Sequence, residues 1–164
     1  MGVFSCHQAV RREAFFASGG FNPENTAGEW IGDGETGLNM KIFALNGLFA
    51  YTDQSRIHHM IPATRMTQKY LNKRLTNQGN CDSYTFYRGT RLLRRKLLFR
   101  LPIFIVKGFA SGIAALVLFI TANSFFRVKV AYIFYYISRF RYDLRLIHDA
   151  GWREMVLKEN WLEE

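Results

Sequence analysis

Two carboxylates stand in the glycine-rich stretch Gly32-Asp33-Gly34-Glu35-Thr36-Gly37-Leu38, and two histidines, His58-His59, lie further along the chain. A carboxylate in the first turn of a helix meets the positive end of the macrodipole. Glycines at the same helix start let a ligand approach the backbone closely. Such a carboxylate can take the proton of a hydroxyl as a general base. Glu35 is the first candidate for that work, with Asp33 beside it and Gly32 and Gly34 lining a substrate pocket. The same residues also suit a purely structural role, Asp33 as N-cap and Glu35 as dipole partner. His59 stands 24 residues after Glu35. Histidine is a common ligand of transition-metal ions. Neighbouring strand residues point to opposite faces, so only one of His58 and His59 can face a given site. A packed or surface histidine is the alternative. Trp30 offers an indole face that can stack on a sugar ring or pack in a core. Arg65, Lys73 and Arg74 can grip a diphosphate, because guanidinium suits bidentate phosphate contact. A solvated basic helix face is the other reading.

The elements that must position these residues can be read from periodicity and breakers. Residues 3–10 read as a strand, and 11–18 as a short helix stopped by Gly19-Gly20, since glycine takes the left-handed cap at little steric cost. Residues 21–30 read as a loop containing Pro23. Residues 33–46 read as a helix, with Leu38, Ile42 and Leu45 forming a buried stripe and Asn46-Gly47 ending it. Residues 48–51 and 56–60 read as short strands joined by a turn at Thr52-Asp53-Gln54. A basic helical segment comes next, over 65–100. Thr64 or Thr67 can cap it, and Gly79 and Gly89 can break it.

The 164 residues suffice for one domain with a real core, and 15 Phe, 8 Tyr and 3 Trp argue against disorder. Cys6 and Cys81 lie at no metal-like spacing and read as free thiols of a reducing compartment. Residues 1–18 lack the charged start and apolar run of a secretory signal. The net charge of +9 is concentrated: residues 65–100 hold ten Lys or Arg against one acid, Asp82. That segment calls for an anionic partner or surface. Residues 101–145 are apolar and aromatic, and 108–126 run for 19 residues without a charge. Crossing a bilayer takes about 20 such residues. Both flanks are basic, whereas a spanning helix favours a one-sided bias. A helix lying in the interface, or a hairpin returning to the same side, therefore fits better. The aromatic run over 130–142 suits headgroup depth. Residues 146–164 form a polar tail with no assigned role.

The ordered set Arg11-Arg12-Glu13-Ala14-Phe15, Gly19-Gly20-Phe21, Gly32-Asp33-Gly34-Glu35-Thr36-Gly37-Leu38, His58-His59-Met60-Ile61-Pro62 and Arg65-Met66-Thr67 resembles the C-terminal half of family 2 glycosyltransferases of the GT-A fold. The resemblance covers about residues 1–90. It implies an α/β fold over residues 1–64, a partial GT-A-like domain lacking its nucleotide-binding half, then a mostly α-helical, membrane-associated region. Aligning Leu38 puts Glu35 on the second acid of the family's pair, the catalytic base. The first acid falls on Gly34, and Asp33 can supply that carboxylate from one position earlier. His59, with His58 as the fallback, resembles the histidine that completes metal coordination in some members. A divalent cation, Mg or Mn, is thereby implied. The nucleotide-binding half with its Asp-x-Asp motif has no counterpart in this sequence. The resemblance therefore implies a separate N-terminal half, as for a fragment, a split protein or a late-placed start.

The same resemblance implies an inverting transfer from a nucleotide-sugar donor to a glycan or lipid-linked acceptor at the cytoplasmic face of a membrane, with the enzyme peripheral or integral. The competing reading is a non-catalytic membrane-surface module, or a remnant, that binds anionic lipid through residues 65–100. Nucleic acid is excluded as a partner by the adjoining apolar stretch and the lack of any nucleic-acid-binding motif.

Overall fold

The computed structural model describes residues 8–23, 33–54, 56–58 and 60–162. Among these, every regular element is helical: α1 (Arg12–Ala17), α2 (Gly34–Ala44), α3 (Gln68–Thr90), α4 (Arg94–Leu98), α5 (Leu101–Ile120), α6 (Phe126–His148) and α7 (Ala150–Leu157), with a 3-10 turn at Ala63–Arg65. The α/β fold expected for residues 1–64 is therefore corrected: no strand forms among the described residues. Gln8–Val10, residues 48–51 and the described part of 56–60 have no regular structure. Strand propensity takes effect only where a neighbouring strand pairs the backbone and a face is covered. Leu48 and Tyr51 have no such cover, being 98% and 89% exposed.

The chain divides into two compact units, Met1–Met60 with Leu157–Glu164, and Ile61–Val156. In the first, α1 ends in a Schellman turn. The Gly20 N–H donates to Phe15 O and the Gly19 N–H to Phe16 O, with φ +74° and +72° at the two glycines. A Cβ on Gly19 would come within 2.8 Å of Asn160 Cα. The C-terminal residues thus close on this turn, and the Trp161 N–H donates to Gly19 O. The polar tail, unassigned from sequence, has a structural place here. α2 buries Leu38 and Ile42 but leaves Leu45, the third member of the expected stripe, exposed.

The second unit is built on α6. Gln68 Nε2 donates to Arg127 O at 2.9 Å, and Arg139 Nε lies 3.4 Å from Ser83 Oγ, so α3 runs parallel to α6 along its length. Thr67 caps α3 by accepting the Tyr70 N–H. Gly79 does not break α3. It lets the two helices meet, because a Cβ there would stand 2.5 Å from Tyr135 O and nearer still to Ser138 Oγ. On another side of α6, α5 runs antiparallel, with Arg139 over Phe104, Gly108 facing Tyr136, and Phe119 against Phe126. The apolar run over 108–126 is broken by a turn at 121–125, where Ala122 has φ +54°. The stretch Arg94–Ile120 is long and apolar enough to cross a membrane, and little of it is buried within the protein.

Candidate active site

Phe21, Asn22 and Pro23 leave the α1 turn and lie along the start of α2. The Gly34 N–H donates to Pro23 O at 3.3 Å. Asn22 is 2% exposed and Asp33 6%. Asn22 Nδ2 donates to Asp33 Oδ1 at 2.7 Å. Asp33 occupies the N-cap position of α2, and its carbonyl accepts the Thr36 and Gly37 N–H groups. Its carboxylate, however, does not cap the helix. The capping role expected of that side chain is thus replaced by the bond to Asn22.

Gly37 explains how this pair fits. A Cβ on Gly37 would collide with Asn22 Nδ2 and Asp33 Oδ1. The side-chain pair lies over the first turn of α2, in the space that a larger residue would fill. Gly34 opens the helix with φ +43°, which an L side chain adopts only at a cost. Glu35, next along, is half-buried in this first turn. Lys41 extends from α2 to Gly20 O at 2.6 Å and ties the helix back to the glycine turn. Gln8 Nε2 adds a bond to the buried Asn39 Oδ1 at 2.7 Å. Two carboxylates two residues apart are therefore in unlike settings, Asp33 buried and bonded to Asn22 and Glu35 only half-buried.

The other candidates are spread more widely. Trp30, Gly32 and His59 lie outside the described residues. His58 is exposed, in a segment without regular structure. Arg65 and Arg74 belong to the second unit, both exposed, with Arg65 stacked 5.7 Å above the Tyr70 ring. Among the described residues no three His, Cys, Asp or Glu side chains gather as a metal site. Asp33 and Asn22 offer hard oxygens of the kind Mg or Mn takes. Their pairing with each other, together with burial, does not fit them for an ion.

Sequence reading did not single out Asn22 or the polar core of the second unit. In that core Arg100 and Asp143 form an ion pair at 3.1 Å, and the Arg100 guanidinium lies 3.6 Å from the Phe86 ring centroid. The Tyr135 hydroxyl donates to Asp82 Oδ2 and accepts from Arg139 Nη1. Burial, and donation to that carboxylate, push the Tyr135 hydroxyl up to about 12. One signal was present in the sequence: Asp82 and Asp143 are lone acids amid basic and apolar neighbours, and lone acids in such settings pair inward.

No protein-family profile, curated protein or solved structure matches the chain.

Proposed function

We propose that the chain is the acceptor-side part of an inverting glycosyltransferase. It would move a sugar from a nucleotide-sugar donor to a glycan or lipid-linked acceptor at the cytoplasmic face of a membrane. The supporting observation is the contrast between the two carboxylates at the start of α2. Asp33 is buried and held by Asn22 at 2.7 Å, a positioning role. Glu35 is half-buried in the first helical turn, where it can meet an acceptor hydroxyl. In the proposed reaction Glu35 takes the hydroxyl proton. The acceptor oxygen forms its bond to the anomeric carbon as the bond from that carbon to the diphosphate breaks, inverting the configuration. A Mg or Mn ion, if bound, would neutralise the charge of the leaving diphosphate, with His59 as one of its ligands and the separate N-terminal half supplying others, and no step here depends on it.

The experiment is donor turnover. Native membranes carrying the protein are given a panel of nucleotide-sugars together with a lipid extract, and nucleoside diphosphate release is read. Release with one donor, dependent on the protein, supports the proposal. Release with none favours the second reading, a non-catalytic module that binds anionic lipid. The observation behind that reading is the exposed basic side chains within residues 65–100, among them Arg94, Arg95 and Lys96 just ahead of the apolar helix.

A further inference from the structure

We propose that the second unit is a monotopic anchor. Helix α5 lies in the plane of an anionic phospholipid leaflet, its apolar face among the acyl chains and α3 on the water side, and it does not cross the bilayer. This inference stands apart from the catalytic reading.

Three observations carry it. The first is the shape of the apolar surface. Leu101, Phe104, Gly108, Gly112 and Ala115 form the stripe of α5 nearest α6, with small residues where the helices approach. Ile103, Val106, Phe109, Ile113, Leu116 and Ile120 are exposed on one arc turned away from it. A helix of this length offers such an arc over about 30 Å. Lys107 falls on the flank with Ser111, outside the arc, as helical spacing requires.

The second observation is the packing order. α5 runs along α6 and α6 runs along α3, so the three axes share one direction. If α5 stood across a bilayer, α3 would stand at the same depth. α3 is polar along its length and exposes Lys69, Lys73 and Arg74. Charges at that depth are expensive and need a protein or water lining, which the described residues do not supply to this exposed face. With the axes in the membrane plane, the layers stack along its normal. α6 then lies about 8–10 Å above α5, and α3 lies one layer further out.

The third is charge. Residues 83–142 hold eleven Lys or Arg and no acid. The exposed members bracket α5, with Arg94, Arg95 and Lys96 before it and Arg127 and Lys129 after it. A spanning helix favours cations at one end. An in-plane helix meets lipid phosphates at both.

The test uses the full chain with Cys6 and Cys81 replaced by serine, bound to vesicles of phosphatidylcholine and phosphatidylglycerol. A nitroxide is attached in turn at Val106→Cys, Ile113→Cys and Ile120→Cys, and its depth is read from collisions with oxygen and with a water-soluble nickel complex. The expected result is one shallow depth at all three sites. A depth changing steadily by about 20 Å from first to last, at about 1.5 Å per residue, would overturn the proposal in favour of a crossing helix. Collision rates showing no lipid contact at any site would overturn it in favour of a protein partner on this face. A second measurement avoids altering the apolar arc. Ser124→Cys, in the exposed turn after α5, should react with a membrane-impermeant maleimide from the same side as Gly89→Cys, at the far end of α3 beside the start of α5. Protection of either one until the vesicles are lysed would contradict an in-plane helix. Binding should also fall at least tenfold on vesicles of phosphatidylcholine alone, and equal binding to both would remove the charge argument.

Discussion

Asn22 Nδ2 donates to Asp33 Oδ1 at 2.7 Å, in the interior, across the first turn of α2. This bond joins the loop after the glycine turn to the head of the helix carrying Glu35. Asn22→Ala should leave Asp33 buried without that donor, which costs about 1–3 kcal/mol. Gly37→Ala should cost a similar 1–3 kcal/mol, roughly the range for overpacking, because its Cβ would collide with the pair. Denaturant unfolding read from the first unit checks both. Wild-type stability in either variant would mean that the bond does not organise the turn.

Two glycines of α3 should respond with opposite signs. Gly79→Ala forces a Cβ against Ser138 Oγ and Tyr135 O, so it should destabilise the second unit by about 1–3 kcal/mol. Gly89 has nothing within 4 Å of its would-be Cβ. Gly89→Ala should therefore stabilise, by roughly 0.5–1 kcal/mol, through helix propensity and unfolded-chain entropy. Thermal unfolding of the two variants side by side tests the contrast.

That pair of glycines also shows what a sequence can and cannot reveal. Both read as helix breakers, and neither breaks α3, because the need for a small residue at position 79 comes from a helix 59 positions away in the chain. The helices were legible in part: α2 from its glycine and acid start, the start of α3 from Thr67, and the middle of α5 from an uncharged run that overshoots the helix end at Ile120. The strands expected over 48–51 and 56–60 do not form, because propensity is local whereas pairing is not. Asp33 and Glu35 look alike in sequence. Only the fold separates them, through Asn22, whose amide carries no pattern of its own.

The Arg100–Asp143 pair should make stability depend on pH in a recognisable direction. Burial raises the Asp143 carboxyl above its ordinary 3.8, although the Arg100 guanidinium opposes this. The folded state then holds that proton more tightly than the unfolded chain does. Stability falls as pH rises from the unfolded carboxyl's value through the raised one, and levels off above it. Arg100→Met removes the opposing charge, so it should cost about 3–5 kcal/mol near neutral pH and steepen this slope. Arg100→Met with Asp143→Leu should recover most of the loss and flatten the slope. Chemical unfolding across pH 4 to 8 distinguishes these outcomes, and a pH-independent Arg100→Met variant would count against a buried charge.

Asp149 should act in the opposite sense. Its Oδ1 accepts the Trp152 N–H at 2.8 Å, which caps α7 and holds the carboxyl below its ordinary value. Its stabilising contribution is present above the unfolded value and is lost as pH falls through the depressed one. Asp149→Asn should keep the cap and remove that acid dependence, whereas Asp149→Ala should lose both. Helix content tracked on acid titration is the readout.

The central claim rests on Glu35, and the most direct measurement is sugar transfer by Glu35→Gln compared with wild type. Both are expressed from the native locus and assayed in membranes with the donor that supports turnover. The account predicts a fall of about 100-fold or more in transfer rate, since an amide cannot take the acceptor proton, with folding unchanged. Transfer near the wild-type rate would contradict the assignment of Glu35 as the base.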